Sequence, residues 1–189
     1  MIQYKCLCEI KEGDDGEKNA IYEKLDIYDE NKKKTGRVIE RRENECINNN
    51  EFLLIVQCWI INAKNEILLT QRNLKKKSGG MWEATSGLVQ AGENSIQGIK
   101  RELKEEIGIE IDNRELKLFK TVKEEKRLRD VYISNKDINI GDIKFNDGEV
   151  INAKYVTIGE FRQMIDNGEA FEWSRWFLND YYKIIQYNN

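Results

Sequence analysis

Three glutamates that lie close together in the sequence, Glu102, Glu105 and Glu106, have the spacing i, i+3 and i+4. On an α-helix this spacing places the three carboxylates on one narrow arc. Like charges at such positions repel each other, at a cost of roughly a few tenths of a kcal/mol per pair. A helix that keeps them is therefore a candidate for binding a cation. Hard divalent cations such as Mg²⁺ prefer carboxylate oxygens and often hold phosphates.

The absence of histidine limits the catalytic groups that this chain can use. The 189 residues include no histidine, which excludes imidazole general bases, Ser-His and Cys-His nucleophile pairs, and histidine metal ligands. Cys6 and Cys8 form an isolated C-x-C motif, which is weak support for a zinc site, and Cys46 and Cys58 lie far from it. We interpret all of them as reduced thiols. Carboxylates, lysine, tyrosine, cysteine and a bound metal ion remain as candidates for catalysis.

The segment that carries the three glutamates has the signals of a helix. Asn94 and Gln97 form a possible capping box, and Gly108 lies where a helix usually ends. Beside the acidic arc, apolar residues recur at helical spacing, at Ile96, Ile99, Leu103 and Ile107. The sequence therefore predicts a helix that packs on a sheet along one face and presents carboxylates on its flank.

Around this helix the sequence predicts strands and helices that mix without strict alternation. Phe52–Ile61 is almost continuously apolar and β-branched, as expected for a strand buried on both faces, and a turn leads from it into a partner strand at Glu66–Gln71. The segment 29–36 is predicted to be a turn. The other predicted elements are strands at 21–28, 115–122, 129–134 and 150–156, a short helix that ends at Gly168, and a helix over 173–185. This order indicates an α/β fold with a mixed sheet between helices.

Composition and length indicate a soluble globular protein. Charged residues make up 34% of the chain and hydrophobic residues 40%, and no apolar run approaches the roughly 18 residues of a bilayer span. We expect a single domain over residues 21–189, preceded by an extension over residues 1–20 that forms a strand and a loop. The N-terminus shows no secretory signal, so we expect a cytoplasmic protein without a membrane partner. The net charge of −3 gives no reason to expect DNA or RNA binding.

The acidic helix is part of a longer motif with the pattern G-x5-E-x7-R-E-U-x-E-E-x-G-U, in which U is an aliphatic residue. Every specified position is matched, by Gly87, Glu93, Arg101, Glu102, Leu103, Glu105, Glu106, Gly108 and Ile109. In this the chain resembles the Nudix hydrolases, whose signature this pattern is. The segments LDIYDENKKKTG, ILLTQR and MWEATSGL are similar to the branch that contains isopentenyl-diphosphate isomerase and its hydrolase relatives.

The resemblance implies an α/β/α sandwich and cleavage of a nucleoside diphosphate linked to another group. It implies that Glu102, Glu105 and Glu106 bind Mg²⁺ or Mn²⁺, with Glu102 as an alternative general base. It adds the backbone carbonyl of Ser86 as a metal ligand and a brace between Arg101 and Glu93. It also leaves open a homodimer that exchanges an N-terminal strand. General chemistry supports these roles. Hydrolysis of a diphosphate requires that the charge on its oxygens is neutralised and that a water molecule is activated, and divalent ions with a nearby carboxylate can do both.

Other candidates lie outside the motif, and all of them except Arg72 keep two interpretations. Glu149, just before a predicted strand, is either a further metal ligand or base, or an exposed turn residue. Arg72, at the end of a strand, is predicted to contact substrate phosphates. The lysines 75–77 either contact phosphates or belong to a solvated loop. Trp82 either stacks on a base or packs in the core.

Three functions compete. A metal-dependent pyrophosphohydrolase fits the complete motif. A non-catalytic nucleotide sensor would usually lack some of the carboxylates. An isopentenyl-diphosphate isomerase would need a cysteine before the motif and metal-binding histidines, whereas this chain has ATSG at residues 84–87 and no histidine. We therefore predict the hydrolase.

Overall fold

The computed structural model describes residues 22–41, 47–146 and 148–188. The strand and loop predicted for residues 1–20, the C-x-C motif and the exchange of an N-terminal strand lie outside the described residues, as does Cys46. Cys58 is a buried free thiol. Within the described ranges, no helix combines the length and the apolarity needed to cross a bilayer.

The chain folds into strands and helices that alternate irregularly, with short 3-10 turns at 113–115, 140–142 and 172–174. The strands are β1 Lys24–Tyr28, β2 Lys34–Glu40, β3 Leu53–Ile60, β4 Ile67–Arg72, β5 Trp82–Glu83, β6 Ser86–Leu88, β7 Lys117–Lys123, β8 Arg127–Ser134 and β9 Val150–Val156. The helices are α1 Ser95–Ile107, α2 Ile158–Asp166 and α3 Arg175–Asn188.

The strands form three sheets, and the central one is mixed as predicted. Its order is β6-β3-β8-β7, in which β3 runs parallel to β8 while β6 and β7 pair antiparallel with their neighbours. A second, antiparallel sheet has the order β5-β4-β9, and β1 with β2 forms a separate hairpin. The α/β class with a mixed sheet is therefore confirmed.

Helices cover both faces of the central sheet because the side chains of β3 alternate between two cores. Val56 and Cys58 point into the core that packs against α1, whereas Trp59 points into the core that packs against α2 and α3. On the second face the Trp59 ring stacks on the Phe177 ring of α3, with 3.7 Å between the centroids. Period-two alternation on one buried strand thus places helices on both sides of the sheet.

Several predicted boundaries were wrong, including that of the strand predicted over 129–134, which begins at Arg127. The segment 29–36 is a turn only as far as residue 33, because the chain then returns as β2 and pairs with β1. The strand predicted over 115–122 begins after a 3-10 turn at 113–115, and the helix predicted over 173–185 begins at Arg175, after another. The last two shifts come from single 3-10 turns, which have no apolar periodicity; the Asp112 side chain caps the first of them, and the second has no side-chain cap.

Candidate active site

Helix α1 begins and ends at the residues that the sequence predicts. The Asn94 side chain accepts a hydrogen bond from the Gln97 amide, and the Gln97 side chain accepts one from the Asn94 amide at 2.8 Å. Gly108 adopts a left-handed conformation with φ 69° and donates to the carbonyls of the last turn. Because both ends of the helix are fixed, the three glutamates of the acidic arc are held by a rigid element.

The apolar face of α1 anchors the helix on the sheet. Ile99, Leu103 and Ile107 are completely buried in the core that includes Val56 and Cys58. Each such side chain contributes about 2 kcal/mol by leaving water. The helix therefore cannot rotate without exposing this stripe, and the direction of its carboxylates is set by packing against β3.

Arg101 is the centre of the polar cluster. Its Nε donates to Glu93 Oε1 at 2.8 Å, and its Nη1 donates to Glu102 Oε1 at 2.8 Å and to Glu105 Oε2 at 2.9 Å. Its Nη2 also donates to the Leu88 carbonyl at 2.8 Å. The predicted brace between Arg101 and Glu93 is thus present, and the guanidinium additionally ties two of the three helix carboxylates to the loop before the helix.

Glu102 lies directly against Gly87. A Cβ atom added at Gly87 would lie 2.0 Å from the Glu102 carboxyl carbon, so a side chain at residue 87 and the present position of this carboxylate exclude each other. Burial raises the pKa of Glu102 to about 7, although the Arg101 guanidinium acts in the opposite direction. Desolvation therefore opposes the charge of this carboxylate, and a nearby cation would offset that cost.

The residue types around Glu102 fit a hard divalent cation. Glu106 is buried and Glu105 is 47% exposed. Ser86 directly precedes Gly87 in β6, so its carbonyl is next to the residue that contacts Glu102. All of these groups offer oxygen ligands. Among the described residues, no three acidic or cysteine side chains are arranged so that they could hold a metal ion, and Arg101 holds the Glu102 and Glu105 carboxylates. A bound cation would compete with Arg101 for these two side chains.

A second ion pair lies beside the helix cluster. The Arg72 Nη1 donates to Glu83 Oε1 at 2.7 Å, and the charge of Glu106 is close enough to affect the pKa of Arg72. Burial raises the pKa of Glu83, while the Arg72 guanidinium acts against that shift. Arg72 is therefore near the acidic helix, as predicted, but a carboxylate already orients it. Sequence reasoning missed Glu83, whose one signal is a charged residue in the short segment between Trp82 and the motif.

Glu149 lies near this ion pair, just before the strand β9 of the second sheet. It immediately precedes β9, as predicted, and its carboxylate forms an ion pair of 2.6 Å with Lys76 Nζ. Its charge also affects the pKa of Glu83. The lysines 75–77 lie in an exposed loop, and Lys76 links that loop to Glu149.

Trp82 is a core residue. Its side chain belongs to the buried cluster that packs under α2 and α3, and the Lys154 ammonium lies 4.3 Å from the ring centroid. Because the residue is only 8% exposed, the indole offers little surface to a nucleotide base. The structure therefore favours the core-packing interpretation, and we assign Trp82 no role in stacking on a base.

The Arg101 cluster predicts a loss of stability on truncation. We expect Arg101→Ala to lower the free energy of unfolding by about 3 kcal/mol, because removing one partner of a largely buried ion-pair network leaves the other charges uncompensated. Arg114, whose ion pair with Asp112 is exposed, provides the control, and Arg114→Ala should change stability little. Urea denaturation of both variants checks this, and equal losses would show that Arg101 has no special structural role.

The chain is similar to known proteins over most of its length. The family model for the NUDIX domain matches residues 52–177. An uncharacterised Nudix hydrolase of Listeria monocytogenes, lmo0368, is 29% identical over 165 residues, which cover 86% of this chain and 95% of that protein. An isopentenyl-diphosphate Delta-isomerase of Citrobacter koseri is 39% identical over only 62 residues, 32% of this chain and 34% of the isomerase. The crystal structure of DR0079 from Deinococcus radiodurans has the same fold, with a TM-score of 0.65, 22% identity, and coverage of 78% of this chain and 91% of that one.

Proposed function

Because this chain belongs to the NUDIX family, we propose that it is a metal-dependent hydrolase that cleaves the diphosphate bond of a nucleoside diphosphate linked to another moiety. The substrate is a small molecule, and the cofactor is Mg²⁺ or Mn²⁺. Membership of the family supports pyrophosphohydrolase activity in general, and we propose the substrate class and the metal in addition.

One observation carries the proposal. The Glu102 carboxylate occupies the space that a side chain at residue 87 would fill, and Arg101 forms an ion pair of 2.8 Å with it there. A helix face that is merely solvated has no need for a glycine in contact with one carboxylate or for a mostly covered arginine paired with it. This construction fits residues that must hold a charged group at a defined point.

The roles of the individual residues follow from their positions. Glu102, Glu105 and Glu106 would hold the cation together with the Ser86 carbonyl. The cation, when bound, neutralises charge on the diphosphate oxygens and makes a water molecule nucleophilic at neutral pH. Glu102 is one candidate to accept the proton of that water, and Glu149 is the other.

Arg72 would contact the diphosphate of the substrate. Its guanidinium is oriented by Glu83 and remains 29% exposed, which leaves N–H groups for charge-assisted hydrogen bonds to phosphate oxygens. Glu83 thereby acts on the substrate only through Arg72. Lys76 forms an ion pair with Glu149, and the charge of Glu149 is close enough to affect the pKa values of both Arg72 and Glu83.

The two alternatives predict different products. The isomerase requires groups that this chain lacks, namely histidine ligands and a cysteine in the ATSG segment. The match to an isomerase covers a third of the chain, so the isomerase activity carries no weight here. A sensor would bind nucleotides without cleaving them, and the complete set of box carboxylates argues against it.

A substrate panel tests the proposal. The protein is incubated with nucleoside triphosphates, ADP-ribose, dinucleoside polyphosphates and coenzyme A, with Mg²⁺ or Mn²⁺, and the products are identified by mass. We expect cleavage of a diphosphate bond in at least one compound and none with EDTA. Binding without cleavage would favour the sensor, and conversion of isopentenyl diphosphate to dimethylallyl diphosphate would establish the isomerase; either result overturns the proposal.

A further inference from the structure

The hairpin of β1 and β2 lies outside residues 52–177 but makes several hydrogen bonds to the loop before α1. The carbonyl of Lys24 accepts a hydrogen bond from the Ala91 amide at 2.7 Å, and Gln90 Nε2 donates to Glu23 Oε1 at 3.1 Å. These bonds join the first strand of the hairpin to residues 90–93, which we call the box loop. The hairpin is thus connected to the motif although it is remote from it in sequence.

Asp26 is the main contact between the hairpin and the box loop. The residue is 8% exposed, and its Oδ2 accepts a hydrogen bond from the Gly92 amide at 2.9 Å. The same oxygen forms an ion pair of 2.7 Å with Lys34 Nζ, which in turn donates to the Glu93 carbonyl at 3.0 Å. One buried carboxylate and one lysine therefore hold two consecutive residues of the box loop.

The box loop in turn holds the carboxylates of α1. Glu93 accepts a hydrogen bond from the Gln90 amide at 2.9 Å, which closes the loop on itself. Its other oxygen accepts from Arg101 Nε at 2.8 Å, and Arg101 binds Glu102 and Glu105. A displacement of residues 92 and 93 would therefore be passed to Arg101 and from there to the carboxylates.

The turn of the same hairpin also reaches the start of α1. Lys32 Nζ lies 2.8 Å from an oxygen of Asp130, which is completely buried in β8. Ser95, the first residue of α1, donates to the other oxygen of Asp130 at 2.5 Å, and Thr121 donates to the first at 2.6 Å. The hairpin is consequently attached both to the loop before the helix and, through Asp130, to the first residue of the helix.

We propose that the β1–β2 hairpin is a positioning element of the active site and that Asp26 is its positioning residue. Asp26 holds the box loop through Gly92 and Lys34, and the loop sets the position of Arg101 and of the carboxylates that Arg101 binds. This inference rests on the proposed function for its meaning in catalysis. The structural link itself consists of these hydrogen bonds and can be measured without any substrate.

The test compares Asp26→Ala, Asp26→Asn and a control on the same hairpin. Arg37→Gln is the control, because Arg37 on β2 forms an exposed ion pair with Glu51, away from the box loop. Asparagine keeps an acceptor for the Gly92 amide but loses the charge that binds Lys34. If Asp26→Ala fails to fold, Lys34→Met breaks the link to the Glu93 carbonyl and serves instead.

Two measurements do not depend on catalysis. Amide hydrogen exchange at Gly92, followed by NMR, should be at least about tenfold faster in Asp26→Ala, because a hydrogen bond to a charged group is lost. Binding of Mn²⁺, measured by electron paramagnetic resonance, should weaken by about fivefold, since groups that hydrogen-bond behind the metal ligands orient those ligands. Asp26→Asn should show smaller changes in both, and Arg37→Gln should match the wild type.

With a substrate in hand, kcat should fall in Asp26→Ala while KM changes little, because Asp26 does not touch the substrate. Unchanged exchange at Gly92, or faster exchange with unchanged Mn²⁺ affinity, would overturn the inference, as would equal effects in Arg37→Gln. If no compound of the panel is cleaved, the proposed function fails, whereas the exchange and Mn²⁺ results still decide whether Asp26 holds the box loop.

Discussion

Replacing Glu106 by glutamine is expected to reduce turnover by about a thousandfold while the protein remains folded. Glutamine has the same shape but is neutral, so the cation would lose one charged ligand from a buried position. Charge stabilisation by a bound metal is worth several kcal/mol, and each 1.4 kcal/mol changes the rate about tenfold. The measurement is kcat/KM with whichever compound of the panel is cleaved.

A matched control separates this effect from a general change of charge. Glu110 follows the end of α1 and forms an exposed ion pair with Lys104, so Glu110→Gln removes one negative charge without touching the cluster. We expect wild-type turnover for that variant and an unaltered melting temperature for both. Wild-type turnover in Glu106→Gln would remove this residue from the mechanism. A large loss in Glu110→Gln as well would point to overall charge rather than to metal binding.

The elements that the sequence predicts well are those with local signals. The capping box of α1 and Gly108 at its end depend on residues within the helix itself, and both were confirmed in detail. The buried strand β3 follows from a continuous apolar run. The acidic arc and the brace between Arg101 and Glu93 are also short-range, since these residues lie within one loop and one helix.

The parts that the sequence does not reveal depend on contacts between remote segments. Strand β2 is almost entirely exposed and polar, so no apolar alternation marks it, and it exists because it pairs with β1. The Arg72–Glu83 pair joins two strands. The hydrogen bond from Gly92 to Asp26 joins residues that are 66 positions apart in the sequence. Such pairings are set by tertiary structure, which outweighs local propensity.

The same limit applies to Trp82. A tryptophan beside a Gly-Gly turn is compatible with a binding surface or with a core, and only the arrangement of α2 and α3 decides between them. These helices bring Phe161 and Phe177 into the cluster that includes Trp82. The burial of this indole therefore depends on helices that lie roughly 80 or more residues further along the chain.

Replacing Gly87 by alanine is expected to lower turnover by about a hundredfold with little loss of stability. The backbone of Gly87 is not in the left-handed region, so alanine is allowed there by conformation. Its methyl group would, however, lie 2.0 Å from the Glu102 carboxyl group. Because that group is the end of a flexible side chain, it can move aside at small cost, and it would then leave its position by an ångström or more. A misplacement of about 1 Å in an active site can cost about a hundredfold in rate.

A control variant and a double variant can show that the effect of Gly87→Ala acts through Glu102. Gly159→Ala on α2 is the control, since its new methyl group would meet no atom closer than 3.9 Å, and we expect wild-type turnover for it. The double variant of Gly87→Ala with Glu102→Gln should be no slower than Glu102→Gln alone, because the carboxylate is already lost. If the two losses multiply instead, Gly87 acts on another group, and the position of Glu102 against the loop is not what the chemistry requires.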